Sequence, residues 1–263
     1  MLMKLLKYNL KDIYKNLVIF YGLSLFFAVL TRLFLGIDNS FMMNIIGKVC
    51  SGTAIAMIFN IIINNLMRLW VRFKQNLYGD ESYLTHTLPI EKKTLYLSKI
   101  ITAIITLFTS ILVITLTIFI AYYSKENLQI IKNILLPIAN TYNSTILTIL
   151  LQFIFIIFLE FTNILQCGFT GIILGHKMNN AKIGYSVLYG IITFTISQII
   201  MLIIIFIIGL FNKDIMNLII TNELINIDTI KSIIYLSTTI YTIIILIGYI
   251  INNRLFKKGV NVE

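Results

Sequence analysis

One carboxylate, Glu160, lies inside the apolar stretch 145–174. Placing a charge in lipid is costly, so an ionisable residue in such a stretch marks a candidate functional site: a transport pathway, or an ion pair with another chain. Gln152, Asn163 and Gln166 give the same stretch a polar side. We assign Glu160, Gln152 and Asn163 to a candidate pathway, against the alternative that Glu160 serves only in packing.

A second candidate lies in the connection 68–99, which is more than a polar linker. Basic residues come first, and a turn signal follows at Gly79, Asp80 and Glu81. The next segment contains apolar residues that a cytoplasmic loop would expose, and a proline ends it: Tyr83, Leu84, Leu88 and Pro89. A short loop with this composition is expected to dock on another surface, either a partner's or the chain's own helix ends.

The motifs of nucleotide and metal chemistry are missing from the sequence. Gly47-Lys48 is the only Gly-Lys pair, but Met42 stands where a P-loop has its first glycine, and Val49 replaces the Ser or Thr that would bind magnesium. His86 and His176 lack the HExxH context of a zinc site. We therefore expect no enzyme activity, no metal and no cofactor in this chain.

The composition indicates a protein whose solvent is lipid. Hydrophobic residues make up 58% of the 263 positions and charged residues 12%, whereas soluble domains carry about 25% charged residues. The mean hydropathy is +0.91. No single soluble core could hide so many apolar side chains without leaving large apolar patches on the surface.

Six stretches reach the roughly 20 apolar residues that a transmembrane helix needs. They are about 16–35, 45–67, 100–122, 145–174, 183–211 and 230–252. The runs are continuous, without the alternation of a membrane barrel. The sequence therefore predicts an all-α integral membrane protein with six transmembrane helices in a single transmembrane domain over 1–263.

Charge distribution predicts the orientation. With the N-terminus inside, fifteen of the 21 lysine and arginine residues fall on the cytoplasmic side. Both termini are then cytoplasmic, and the net charge of +10 indicates contact with anionic lipid, with no nucleic-acid partner. Lysines at helical spacing in residues 1–15 predict an interfacial amphipathic helix, with a simple extension of the first span as the alternative.

The motif LYGDESYLTHTLPIEKKTLYLSKI resembles a segment of bacterial ABC transporter permeases of the type-2 exporter superfamily. In Firmicute members an acidic pair precedes Tyr-Leu-Thr-x-Thr-Leu-Pro, a basic cluster and Leu-Ser-Lys, between spans two and three. The matching residues are Asp80-Glu81, Tyr83-Leu84-Thr85, Thr87-Leu88-Pro89, Lys92-Lys93 and Leu97-Ser98-Lys99. Ser82 stands where glycine is common. The basic C-terminus, the loop GHKMNNAKIGY and the amphipathic start are also similar to the family's, so the resemblance covers the chain in order.

The resemblance implies a permease that pairs with a second permease subunit, identical or paralogous, and with two cytoplasmic ATPase subunits that hold ATP and Mg. It implies an N-terminal elbow helix and a coupling helix between spans two and three. The residues implied in ATPase coupling are Asp80, Glu81, Tyr83, Leu84, Leu88 and Pro89. The expected activity is export of a hydrophobic or amphipathic peptide, drug or lipid across the bacterial cell membrane by alternating access.

Two other functions are compatible with the sequence. One is a non-transporting immunity or sensor protein that binds a membrane-active peptide. The other is a secondary carrier that depends on Glu160, although such carriers usually have several buried ionisable groups or matching broken helices.

Overall fold

The structure, a computed structural model, describes residues 2–37, 40–141, 143–212, 215–216 and 227–258. In these residues the chain is helical and has no strand. Eight helices have defined ends there: α1 Leu2–Leu35, α2 Phe41–Tyr78, α3 Ser82–Thr87, α4 Lys92–Tyr122, α5 Lys125–Thr141, α6 Ile146–Gly175, α7 Lys182–Phe211 and α8 Ile227–Lys257. The predicted all-α class is confirmed.

Six of these helices are long and apolar enough to cross a membrane: α1, α2, α4, α6, α7 and α8. They coincide with the six predicted stretches, and they fit a multi-pass membrane protein. Several exceed the requirement. The 38 residues of α2 extend over about 57 Å, whereas the hydrocarbon core is about 30 Å thick. Such helices must project beyond the hydrocarbon.

The extra length changes two predicted boundaries. The connection 68–99 is mostly helical, because α2 continues to Tyr78 and α4 begins at Lys92, which leaves 79–91 with the short α3 as the true connection. The predicted elbow helix 1–15 is not separate, because α1 is one helix from Leu2 to Leu35. Asn9 and Ile13 are buried in the first turns, so this part packs on protein.

The chain forms two compact units, of which the first comprises Met1–Asn76 and Leu84–Gln129. In it α1 lies along α4. Apolar side chains form the contact, and hydroxyl pairs cross it, with Tyr14 Oη 2.8 Å from Thr109 Oγ1 and Tyr21 Oη 2.7 Å from Ser110 Oγ. Asn65 of α2 donates to the same Ser110 Oγ at 2.8 Å. Hydrogen bonds between helices are a means of association where lipid weakens the hydrophobic driving force.

The second unit comprises Leu77–Tyr83 and Ile130–Glu263. In it α6 packs against both α7 and α8. The α6–α7 crossing is close because glycines face it. A Cβ added at Gly171 would overlap the Ser186 carbonyl oxygen and lie 2.6 Å from the Gly190 nitrogen. The Gly171–Gly175 pair, which has the GxxxG spacing, therefore lets two backbones approach each other directly.

Candidate functional site

Helix α3 and the residues just before and after it include all those that the resemblance implies in coupling. Its six residues follow a turn in which the Ser82 nitrogen donates to the Gly79 carbonyl at 2.8 Å. Three apolar side chains on or just after it are exposed: Tyr83 by 63%, Leu84 by 74% and Leu88 by 45%. Asp80 and Pro89 are exposed too, and Glu81 is half-buried. We call the segment 80–89 the tip.

A polar cluster fixes the helices that lead to the tip. The Arg72 guanidinium of α2 pairs with both carboxylate oxygens of Asp12 in α1. Lys99 of α4 donates to Asn9 Oδ1 at 2.8 Å and to Asn76 Oδ1. These five residues, which we call the base cluster, join α1, α2 and α4 within the first unit.

The base cluster explains why α2 and α4 continue beyond their apolar stretches. Asn9 and Asn76 are buried, and a buried amide without hydrogen bonds is destabilising. The ammonium of Lys99 satisfies both. A fork of two bonds between a guanidinium and a carboxylate is also stronger than a neutral pair. The polar residues at these helix ends are therefore matched to one another.

A double-mutant cycle on Asp12 and Arg72 tests the base cluster. Each side chain is about a quarter exposed, so the pair lies between a surface and a buried ion pair. We expect Asp12→Ala to lower the free energy of unfolding by about 1–3 kcal/mol, because it removes both charge-assisted bonds that Arg72 makes to the carboxylate. Thermal unfolding of the purified protein measures it. The double variant should lose less than the two single losses combined, and strict additivity would mean that the pair contributes nothing.

His176, which lacks the sequence context of a zinc site, is a packed residue in the structure. It is 1% exposed, and its ring centroid is 4.6 Å from that of Tyr78 at the end of α2. Its backbone nitrogen also donates to the Ile172 carbonyl at the end of α6. These contacts are those of a packed residue. The described residues contain no group of three or more His, Cys, Asp or Glu that could hold a metal.

The polar side of α6 faces α7 and α8, the other two long apolar helices of its unit. Glu160 Oε1 accepts a 3.0 Å hydrogen bond from Gln198 of α7, and the buried Tyr241 of α8 presents its hydroxyl to the same carboxyl group. Asn163, which is buried, donates to Ser197 Oγ at 3.0 Å. Glu160 is thus held by groups from α7 and α8.

The two ends of this polar side contact α8. Near its start, Gln152 Nε2 is 3.4 Å from the Tyr235 hydroxyl. Near its end, Thr170 Oγ1 donates to Asn252 Oδ1 at 2.7 Å, and Asn252 donates back to the Gln166 carbonyl at 3.2 Å. We call Gln152, Glu160, Asn163, Gln166 and Thr170 the α6 stripe. It runs along most of the helix.

The α6 stripe is not fully satisfied. Glu160 Oε2 and Gln166 Oε1 are buried and have no hydrogen-bond partner within the residues that the structure covers. An incompletely paired polar network in an apolar setting is costly and calls for an explanation. A Cβ added at Gly248 of α8 would lie only 2.5 Å from Gln166 Oε1. The absence of a side chain at this glycine therefore leaves room for the Gln166 amide.

Sequence reasoning found the tip and part of the α6 stripe but missed the base cluster. A signal was present. Asn9, Asp12 and Asn16 recur at helical spacing, as do Arg68, Arg72 and Asn76; two polar helix faces of this kind, just beyond two apolar stretches, suggest each other as partners. The partners of Glu160 on α7 and α8 gave no comparable signal, because isolated Gln and Tyr residues are common in apolar helices.

No protein-family model, curated protein or solved structure matches the chain.

Proposed function

We propose that the chain is the membrane-spanning permease subunit of an ATP-binding-cassette exporter. In this proposal separate cytoplasmic ATPase subunits dock on the tip and drive alternating access, which moves a hydrophobic or amphipathic peptide, drug or lipid outward. The observation that carries the proposal is the exposure of Tyr83 and Leu84 on a short helix between two spanning helices, and of Leu88 directly after it. Its sequence is the part of the chain that resembles the type-2 exporter permeases.

Exposed apolar side chains at a defined place favour a docking role. A patch rimmed by charged residues, here Asp80 and Glu81, is typical of a protein interaction site. Aromatic and aliphatic anchors of this kind dominate binding energy when a partner's pocket covers them. The sequence contains no nucleotide-binding motif, so a chain that moves substrate against a gradient requires an external source of energy.

The helices on either side of the tip supply a mechanical route. α2 runs unbroken from the apolar stretch to Tyr78, and α4 starts at Lys92 and continues into its own apolar stretch. The base cluster ties both to α1. A rigid-body displacement at the tip would therefore move three spanning helices together, as alternating access requires.

Purification of the tagged chain from its native membrane, followed by identification of every subunit, tests the proposal. We expect an ATPase with a P-loop to co-purify, and the ATPase activity of the complex to depend on the permease. A chain that purifies alone in a mild detergent, with no ATPase captured after crosslinking in the membrane, would overturn the proposal.

A secondary carrier is a second candidate, favoured by the incompletely paired carboxyl group of Glu160. Glu160→Gln separates the two functions, because glutamine keeps the size and the contact with Gln198 but cannot bind or release a proton. If the chain is an ATP-driven exporter, we expect the Glu160→Gln variant to continue transport. We also expect transport by the unmodified chain to continue when an uncoupler is added and ATP is held constant. Loss of transport both in the variant and with the uncoupler would favour the carrier.

A further inference from the structure

Helix α5 lies between the third and fourth predicted apolar stretches and outside both. It spans Lys125–Thr141, 17 residues, and begins three residues after the end of the spanning helix α4 at Tyr122. The Asn127 backbone nitrogen donates to Ser124 Oγ at 3.0 Å, which is the geometry of a helix N-cap. The Asn127 side chain donates to the Tyr122 carbonyl at 2.8 Å. The corner between α4 and α5 is therefore fixed by hydrogen bonds.

The helix is amphipathic. At 100° per residue, one half of its circumference carries only apolar side chains apart from Asn127 and Thr141: Leu128, Ile130, Ile131, Ile134, Leu135 and Ile138. The opposite half carries charged and amide groups together with Leu136 and Pro137: Lys125, Glu126, Gln129, Lys132, Asn133 and Asn140. This division matches neither a span nor a solvated loop.

The apolar half is exposed over the first ten residues of the helix, whereas Leu135 and Ile138 near its end are half-buried. Every residue from 125 to 134 is exposed, including Ile130 by 56% and Ile134 by 61%. α4 begins just after the tip, and α5 follows the opposite end of α4. Since α4 is a spanning helix, α5 starts at a membrane surface. At 17 residues, with a lysine in its middle, it is too short and too polar to cross the hydrocarbon.

We propose that α5 is an interfacial helix that binds the lipid surface at the end of α4, with its apolar half in the boundary between headgroups and acyl chains. A helix with separated polar and apolar halves and low overall hydrophobicity lies in this boundary. Lys125 and Lys132 on the other half then face the headgroups and water. This inference goes beyond the exporter proposal and does not depend on it, since any chain with these spans would place α5 at the membrane surface.

A fluorophore on each half of α5 tests the proposal in the full-length protein. The variants Ile134→Cys and Gln129→Cys are each labelled with an environment-sensitive NBD maleimide. The labelled proteins are then reconstituted into phosphatidylcholine vesicles. The unmodified chain serves as the blank, because Cys50 and Cys167 are buried. We expect emission from position 134 to be blue-shifted and strongly quenched by lipids brominated near the headgroup end of the acyl chains. Emission from position 129 should lose most of its intensity to aqueous iodide.

Equal quenching of both positions by iodide would overturn the proposal, because the apolar half would then lie in water. Protection of position 134 from iodide and brominated lipid alike would also overturn it, because protein would then cover the face. Ile130→Cys repeats the measurement one turn away on the same half and guards against a local effect of labelling at Ile134. Size-exclusion profiles that match that of the unmodified protein establish that the variants are folded.

Discussion

A chain with Tyr83→Ala and Leu88→Ala is expected to reach the membrane folded but to lose its ATPase subunit. The two side chains are exposed, so their removal leaves the packed core of the chain intact. If they are anchors, their loss weakens docking by about 2–4 kcal/mol, which is a reduction in affinity of roughly 30- to 1000-fold. Co-purification from detergent and transport in vesicles measure the two consequences.

The matched control is Met3→Ala with Tyr8→Ala. These residues are also large, apolar and exposed, by 78% and 65%, and they belong to the end of α1 on the same predicted side of the membrane. The control pair should keep the ATPase. If both double variants keep it and transport normally, then the tip is not the docking site.

Substitution of Gly171 is expected to have the largest effect on folding. Any Cβ at this position overlaps the backbone of Ser186 in α7, and a backbone cannot rotate away as a side chain can. We expect Gly171→Ala to lower stability by about 1–3 kcal/mol through overpacking. Gly171→Leu should prevent the α6–α7 pair from forming. Thermal unfolding in detergent, followed by size-exclusion chromatography, measures both.

Gly184→Ala is the control for this prediction. It lies in α7, and a Cβ there meets nothing within 4 Å. Alanine is favoured over glycine in a helix by about 1 kcal/mol, so this variant should be neutral or slightly more stable. A similar response of Gly171 and Gly184 to alanine would show that helix propensity, rather than the close crossing, controls stability.

The six spans were predictable from sequence because the constraint is local. Each helix must satisfy its own backbone hydrogen bonds in lipid and present apolar side chains to it, so hydropathy alone identifies it. The tip was predictable for a similar reason: Tyr83 and Leu84 stand out against charged neighbours, and Pro89 marks an end. No long-range information is needed for either.

The ends of α2 and α4 were not predictable from hydropathy. Residues 68–78 belong to the predicted connection between two spans, but Arg72 pairs with Asp12 and Asn76 accepts a hydrogen bond from Lys99, partners that are distant along the chain. The extension of these helices therefore depends on tertiary contacts. The polar faces of α1 and α2 match each other in the sequence, and this match indicates that α2 extends beyond its apolar stretch.

Helix α5 was missed for a different reason. Its charged residues and Pro137 resemble a loop when only spans are sought, whereas its apolar residues recur at helical spacing.

The Gly171–Gly175 pattern was visible in the sequence, but the surface that it contacts on α7 was not, since Ser186 and Gly190 form no distinctive motif. The sequence therefore did not predict which helices pack against each other within the second unit.

The central claim, that the tip contacts a separate ATPase, is tested most directly by photocrosslinking from Leu84 in intact cells. Leu84 is 74% exposed, so a photoreactive amino acid there leaves Tyr83 and Leu88 in place. We predict an adduct with a soluble ATPase subunit that the same probe at Tyr8 does not give. Labelling of this position by a membrane-impermeant reagent from outside the cell, or the absence of any protein adduct in the complete native assembly, would contradict the claim.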